Sequence, residues 1–373
     1  MKKKVSWILL TAAWVLSRGI LWPLDARVEA LAAKIKSVGL EGAGIAAASA
    51  ASGEIAKLGP EALIDLLSAM DDAGPVAANW LRAGVDTISE RALVDHRRLP
   101  AAELEAFVLE RRHAGPSRRL AYEWLLKVDA SVSTRLLPRW IDDPSVEMRR
   151  DAVAREIEAA QALLDKKDEG AARAAYRRLF SASRDPDQVE WIGKRLEALG
   201  ETVDLTRHFG FLQEWKLIGP FDNSGKAGFD AVYPPEEKLD FDGEYQGKAS
   251  KVRWVQHVTT DKRAIVDLNK ALGKNMGAAA YAASSFESAV ERPIHVRAGS
   301  TNAVKIWLNG KLLVRRDEYH HGMDMNQYVA PGTLSSGRNV ILIKVCQNEG
   351  KEEWEQDWKF QLRVCDLTGG GIE

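Results

Sequence analysis

The hydrophobic spacing of this chain changes period once, and the change falls at Trp215-Lys216-Leu217-Ile218-Gly219-Pro220-Phe221-Asp222-Asn223. Ahead of that stretch apolar residues recur at three- and four-residue intervals, as in Leu63, Leu66, Leu67 and Met70. Beyond it they alternate, as in Val304, Ile306 and Leu308 against Lys305 and Trp307. The first spacing keeps one face of a helix apolar and the second one face of a strand, so helices are expected before the stretch and strands after it. At 373 residues the chain also exceeds what one core usually organises, which predicts two or three domains.

In the helical half the punctuation is Gly59-Pro60, Gly74-Pro75, Gly115-Pro116 and Asp143-Pro144. Proline suits the first turn of a helix, so each pair predicts a start. Short amphipathic helices joined by tight turns must bury their apolar stripes against one another, which is the logic of a helical solenoid. In the second half Asn309-Gly310, between Ile306-Trp307-Leu308 and Lys311-Leu312-Leu313-Val314, is a strong hairpin signal because both turn positions accept positive φ. About eight strands with such turns predict a β-sandwich of jelly-roll type. The expected fold class is multidomain α + β: an N-terminal all-α helical repeat region followed by a C-terminal antiparallel β-sandwich.

Met1-Lys2-Lys3-Lys4 and the apolar run from Val5 to Leu16 match the charged and hydrophobic regions of an export signal. Extended to Leu24, past Arg18, the stretch reaches the roughly 20 residues of a membrane span, so a cleaved signal and an uncleaved anchor are both open. Either reading predicts an exported (periplasmic or extracellular) or membrane-anchored chain, with membrane contact only through this segment. Lys and Arg (52) balance Asp and Glu (53), which removes the field that nucleic-acid binding needs. Cys346 and Cys365 are the two cysteines, so no disulfide framework is expected. Strand alternation puts both on the face opposite the apolar one, and they read as unpaired thiols, with a bridge open in an oxidising compartment.

The expected boundaries are 1–24 for the signal or anchor, 25–53 for a linker with one short helix, 54–154 and 155–205 for two helical regions, and 206–373 for the sandwich. Asp143-Pro144-Ser145-Val146-Glu147-Met148-Arg149-Arg150-Asp151-Ala152-Val153 resembles the turn and second helix of a HEAT-type repeat, and Gly115-Pro116-Ser117-Arg118-Arg119-Leu120-Ala121 is a looser copy. Residues 155–205, with Ala171-Ala172-Arg173-Ala174-Ala175-Tyr176, resemble a tetratricopeptide-like helix pair. The C-terminal part resembles the galactose-binding-like β-sandwich domains that accompany carbohydrate-active and other secreted bacterial proteins. The residues behind that likeness are Trp215 with Gly219-Pro220-Phe221, Gly228-Phe229, Tyr233-Pro234-Pro235-Glu236, Leu308-Asn309-Gly310, and Gly337-Arg338-Asn339-Val340-Ile341-Leu342-Ile343-Lys344. The resemblances imply a protein-interaction scaffold in the first half and a ligand-binding module in the second.

The ligand loop implied is the segment after the Asn-Gly hairpin. Arg315, Arg316, Tyr319, His320, His321 and Asp324 bring donors, an aromatic plate and a carboxylate together, and Trp307 points away from the expected core face. Sugars are recognised by such a combination of an apolar ring face and convergent polar groups. Neighbouring histidines on a strand point to opposite faces, which argues against a shared metal. No cofactor is expected; a structural Ca²⁺ at Asp222, Asp240 or Asp242 is open, with no spacing that selects among them. No Gly-x-Ser-x-Gly, phosphate-binding Gly-rich loop or His-Glu-x-x-His is present, Glu236 and Glu237 read as solvated, and Gly42-Ala43-Gly44 lacks a preceding strand. The expectation is a non-catalytic exported protein that binds carbohydrate or an extracellular protein, the alternative being an interaction or envelope-structural protein that acts through the helical repeats.

Overall fold

The structure, a computed structural model, describes residues 25–372, so the expected export segment lies outside the described residues. The fold is mixed α + β, with most helices in the first half and antiparallel sheets in the second. By its internal contacts the chain divides into two compact units, Met1–Ala130 and Ser131–Glu373. No helix among the described residues is long and apolar enough to cross a membrane.

The first unit holds α1 (Ala26–Lys36), α2 (Ile45–Ile55), α3 (Leu63–Ala69), α4 (Pro75–Val94), α5 (Ala101–Leu109) and α6 (Gly115–Val128). Asp25 caps α1 by accepting from the N–H groups of Arg27 and Val28, satisfying donors that have no partner inside the helix. Pro75 and Pro116 stand in the first turns of α4 and α6, where the spacing of Gly-Pro pairs placed them. The small-residue stretch at 42–53 is not a linker: it forms α2, which buries Ala48, Ala51 and Ile55. Alanine is the strongest helix former and its small side chain permits close packing, so low bulk here signals proximity.

The second unit begins with α7 (Val132–Leu136), α8 (Val146–Asp165), α9 (Glu169–Ala182), α10 (Pro186–Ala198) and α11 (Leu205–Phe209). Ser145 caps α8, accepting from Met148 N–H. Because α8 runs unbroken from 146 to 165, the expected boundary between 154 and 155 falls inside one helix. Twelve strands or short strands follow: β1 (Glu214–Asp222), β2 (Glu244–Gln246), β3 (Lys251–Arg253), β4 (Val255–Val258), β5 (Val266–Asp267), β6 (Ala278–Ser288), β7 (Arg292–Ser300), β8 (Ala303–Leu308), β9 (Lys311–Arg316), β10 (Tyr328–Leu334), β11 (Gly337–Gln347) and β12 (Lys359–Cys365). Between them lie α12 (Pro234–Glu237) and α13 (Leu268–Leu272). The strands form a six-stranded sheet in the order β4-β1-β6-β11-β8-β9, a four-stranded sheet β10-β7-β12-β5 and the small pair β2-β3. Asn309 and Gly310 take φ of 50° and 79° in the β8–β9 turn, as the dipeptide predicts.

One apolar cluster draws from both larger sheets: Val304, Ile306 and Leu308, Ile341, Ile343 and Val345, and Phe360, Leu362 and Val364 all enter it. Trp215 and Trp358 lie in the same cluster, and their indole N–H groups donate to the carbonyls of Leu212 (3.0 Å) and Val345 (3.2 Å). An indole buries well only when that donor is satisfied.

The stretch from Trp215 to Asn223, where the spacing changes, sends its side chains to both faces of the six-stranded sheet. Trp215 and Leu217 face the core between the sheets, whereas Ile218 and Phe221 both belong to a second cluster on the outer face of the six-stranded sheet. A register shift between Ile218 and Phe221, where the Gly219–Pro220 peptide is cis, inserts one extra residue into β1. A bulge of this kind re-aims the side chains beyond it, which is why Phe221 leaves the core. Phe209 of α11 and Phe211, just ahead of β1, pack with Val189 of α10 and Ala264. Cys346 and Cys365 are both buried and free, on different sheets.

Candidate functional site

The outer face of the six-stranded sheet is not bare. Residues 223–245 fold across it, and Phe229, Tyr233, Leu239, Phe241 and Tyr245 pack onto Phe221, Tyr281, Leu342 and Cys346. Tyr233 stacks on Phe221 with ring centroids 4.8 Å apart, and Tyr281 meets Phe221 edge-on at 5.6 Å. Beneath this cover Lys344 of β11 is fully buried. Its ammonium donates to Glu236 Oε1 (2.8 Å), Ala231 O (2.7 Å) and Phe229 O (3.2 Å), so each of its three protons has an acceptor. Tyr281 donates its hydroxyl to the same Glu236 oxygen. Burial draws Lys344 below the usual lysine range, against the opposing pull of Glu236. Burial and the Glu236 carboxylate push the Tyr281 phenol far above its ordinary value, and burial lifts the Cys346 thiol to about 12. Glu236 is thus a partnered, 10% exposed carboxylate and not the solvated residue expected.

The expected ligand loop divides. Trp307 and Tyr319 are half-buried and pack on the outer-face cluster. Arg315 belongs to the same side: it donates to Asp230 (2.8 Å) and lies 5.0 Å over the Phe229 ring. Tyr319 receives a hydrogen bond from Asn223 Nδ2 (3.3 Å), carries Lys226 Nζ 4.7 Å above its ring, and is raised in pKa by burial. Arg316 and His321 turn toward Tyr328 instead, Arg316 at 6.0 Å from its ring and His321 Nε2 at 3.4 Å from its hydroxyl. Asp324 is exposed, and its backbone carbonyl lies close against Gly299. Arg316, His321 and Asp324 therefore do not gather with Tyr319.

His320 is the residue that marks the place. It stands at φ 58°, a conformation uncommon outside glycine. Its Nδ1 is buried without a hydrogen-bond partner, and its ring lies 5.8 Å from Trp354 and 6.3 Å from Tyr319. Trp354 is 62% exposed, the one aromatic side chain among the exposed large hydrophobics of the described residues. It projects from the 3₁₀ turn Glu353–Gln356, whose start is fixed by a reciprocal capping box between Glu352 and Glu355. Trp354 was missed from sequence, yet a signal existed: a tryptophan within Glu352-Glu353-Trp354-Glu355, in a polar loop between two strands, has no core to enter. Backbone strain, an unpaired buried nitrogen and an exposed indole on neighbouring groups are features that cluster at ligand sites.

Asp222 spends Oδ1 on Ser224 and faces Lys248 Nζ at 3.4 Å, while Asp240 accepts from the Asp242 N–H. Among the described residues no group of three or more His, Cys, Asp or Glu side chains is placed to hold a metal ion.

No family model matches this chain, and no curated protein does. Parts of it align with solved structures. A beta-glucosidase from Kluyveromyces marxianus in complex with glucose aligns over 30% of this chain and 14% of its own, at 13% identity and a TM-score of 0.23. A beta-glucuronidase from an uncultured Clostridium sp. aligns over 42% and 28%, at 16% identity and 0.25. The GH31 alpha-xylosidase from Xanthomonas citri aligns over 42% and 16%, at 11% identity and 0.20. This chain spans far less than two thirds of the length of each. These neighbours are enzymes by name, so the expectation of a chain without catalysis is corrected and not carried further. At such TM-scores none of their activities is carried over either.

Proposed function

We propose that the chain is an exported binding protein in which HEAT-like and tetratricopeptide-like helices accompany a galactose-binding-like β-sandwich of jelly-roll type, and that this sandwich binds carbohydrate at the surface formed by Trp354, His320 and Tyr319. The observation that carries the reading is the exposed Trp354 indole set edge-on against a strained His320 whose Nδ1 lacks a partner. A flat indole offers the apolar face on which a sugar ring stacks, and the exposed Lys226 beside Tyr319 offers a polar group for hydroxyls. The apolar cluster common to the two larger sheets supports the sandwich, and the Lys-rich start followed by Val5 to Leu16 supports export. The repeat reading is supported by a shared device. Arg118 in one copy and Arg149 in the other are buried and fold back to main-chain oxygens, Val108 O at 2.8 Å and Asp143 O at 2.8 Å.

The test is a screen of the purified protein against a broad panel of immobilised polysaccharides. Saturable binding to a subset, weakened at least tenfold in Trp354→Ala, is the expected result; an affinity loss of that size corresponds to about 1.4 kcal/mol, within reach of one lost aromatic stack. No binding across the panel overturns the carbohydrate assignment and leaves capture of an extracellular protein, measured with the same variant, as the outcome to pursue.

A further inference from the structure

A second place carries unspent binding capacity, on the outer face of the four-stranded sheet. Arg297 of β7 and Arg363 of β12 are register partners, so their side chains leave the same face side by side. Like charges directly opposite one another destabilise a sheet unless something offsets them. Arg363 is 1% exposed and donates to Asn326 Oδ1, Phe209 O and Gly369 O, each at 3.0 Å. All three acceptors are neutral, and burial draws this guanidinium down to about 10. Arg184, just beyond α9, donates to Thr368 Oγ1 (3.3 Å) and to the carbonyls of Ser181 (2.8 Å) and Ser183 (2.9 Å), again neutral.

The three guanidiniums converge on the turn from Asp366 to Gly371. A Cβ on Gly369, which sits at φ 94°, would lie 2.8 Å from Arg297 Nη1, and one on Gly370 would lie 2.7 Å from Arg184 Nε. Glycine at both positions lets the cations close onto the backbone. The one carboxylate in the cluster, Asp366, directs Oδ1 to Thr368 N–H, Thr368 Oγ1 and Gly370 N–H, so its hydrogen bonding holds its own turn. Arg149 stands near Arg184 but has Asp142 and Asp143 as counter-charges of its own, so the unbalanced set is Arg184, Arg297 and Arg363. Arg297 is the least committed of the set: its Nη2 lies 3.4 Å from His295 Nδ1, and its Nε is buried with no partner.

We infer that Arg297, Arg363 and Arg184 bind a tetrahedral oxyanion, phosphate or sulfate, free or as the terminus of a larger molecule. Guanidinium forks match such oxygens in geometry, and a dianion offsets a positive cluster that holds one carboxylate. The site is independent of the Trp354 surface and of the carbohydrate reading.

Isothermal titration of the whole protein with sodium phosphate, sodium sulfate and glycerol phosphate, against sodium chloride at matched ionic strength, tests the inference. Saturable heat with at least one oxyanion and none with chloride is expected, and Arg297→Gln should weaken it at least tenfold. Binding of glycerol phosphate identifies a phosphoryl group on a larger molecule as an acceptable ligand, and binding of the inorganic ions alone identifies the free ion. No saturable heat with any of the three oxyanions overturns the inference. So does equal affinity in Arg297→Gln. The wild-type titration decides the matter even where the variant folds poorly.

Discussion

Replacing Glu236 with alanine should destabilise the unit that contains the sheets by roughly 3–5 kcal/mol, the cost of leaving a buried charge without its counterion. Lys344 is fully buried and Glu236 nearly so, and the pair lies 2.8 Å apart beneath an aromatic cover. Removing the carboxylate strands the ammonium in a place water does not reach and removes the acceptor of the Tyr281 hydroxyl. A buried ion pair is a different matter when both members are replaced: Lys344→Met with Glu236→Leu should recover most of the loss, because the desolvation penalty of both charges disappears. Chemical unfolding with midpoint and slope determined for the single and double variants measures this. A single variant within 1 kcal/mol of wild type would show that the pair is solvated in solution.

Acid should destabilise the same unit through His208. Burial pulls this imidazole down to about 4, with Arg184 and Arg363 adding to the pull against the Ser183 carbonyl. It lies against Phe180 at 4.3 Å, and its Nε2 meets Ser183 O at 3.1 Å. The folded pKa lies below the unfolded value, so the contribution is fully present above about pH 6.5, declines as pH falls from there, and is lost by about pH 4. The interval corresponds to roughly 3 kcal/mol. His208→Gln keeps a donor toward Ser183 but cannot titrate, so its stability between pH 7 and 4 should fall more gently than that of wild type. Parallel pH profiles for the two proteins would contradict this account of His208.

The broad order of the fold was legible because it rests on local patterns. Alternation named Val304, Ile306 and Leu308, which enter the shared core, and the same pattern holds in Ile341 to Val345 and Phe360 to Val364; Asn309-Gly310 named the turn after Leu308. What stayed hidden depended on partners far along the chain. Ala278 to Ala283 reads as helix by propensity, yet it is part of the central strand β6, buried on both faces between β1 and β11. Tertiary pairing overrides propensity there, and alanine is what lets both faces be covered closely. The bulge at Gly219-Pro220 moved Phe221 to the opposite face from the one alternation assigns, and no local feature announced the shift. Glu236 finds Lys344 across 108 residues, so its charge looked solvated when read beside Glu237.

The candidate site was legible by halves for the same reason. Tyr319 and His320 were named from their chemistry, and the structure places them beside one another at the edge of the outer-face cluster. His321 and Arg316 were named on equal grounds but leave toward Tyr328. Trp354 reaches His320 from another loop altogether, the connection between β11 and β12, so no pattern local to His320 announces it.

The most direct measurement of the binding surface is a paired titration, with any polysaccharide that the wild-type protein retains, of Trp354→Ala and of Trp191→Ala as a control on α10, away from His320. At least tenfold weaker binding by Trp354→Ala, with wild-type affinity in Trp191→Ala and an unchanged unfolding midpoint in the first variant, is the result expected. Wild-type affinity in Trp354→Ala would place the ligand elsewhere and contradict the assignment of Trp354, His320 and Tyr319 as the binding surface.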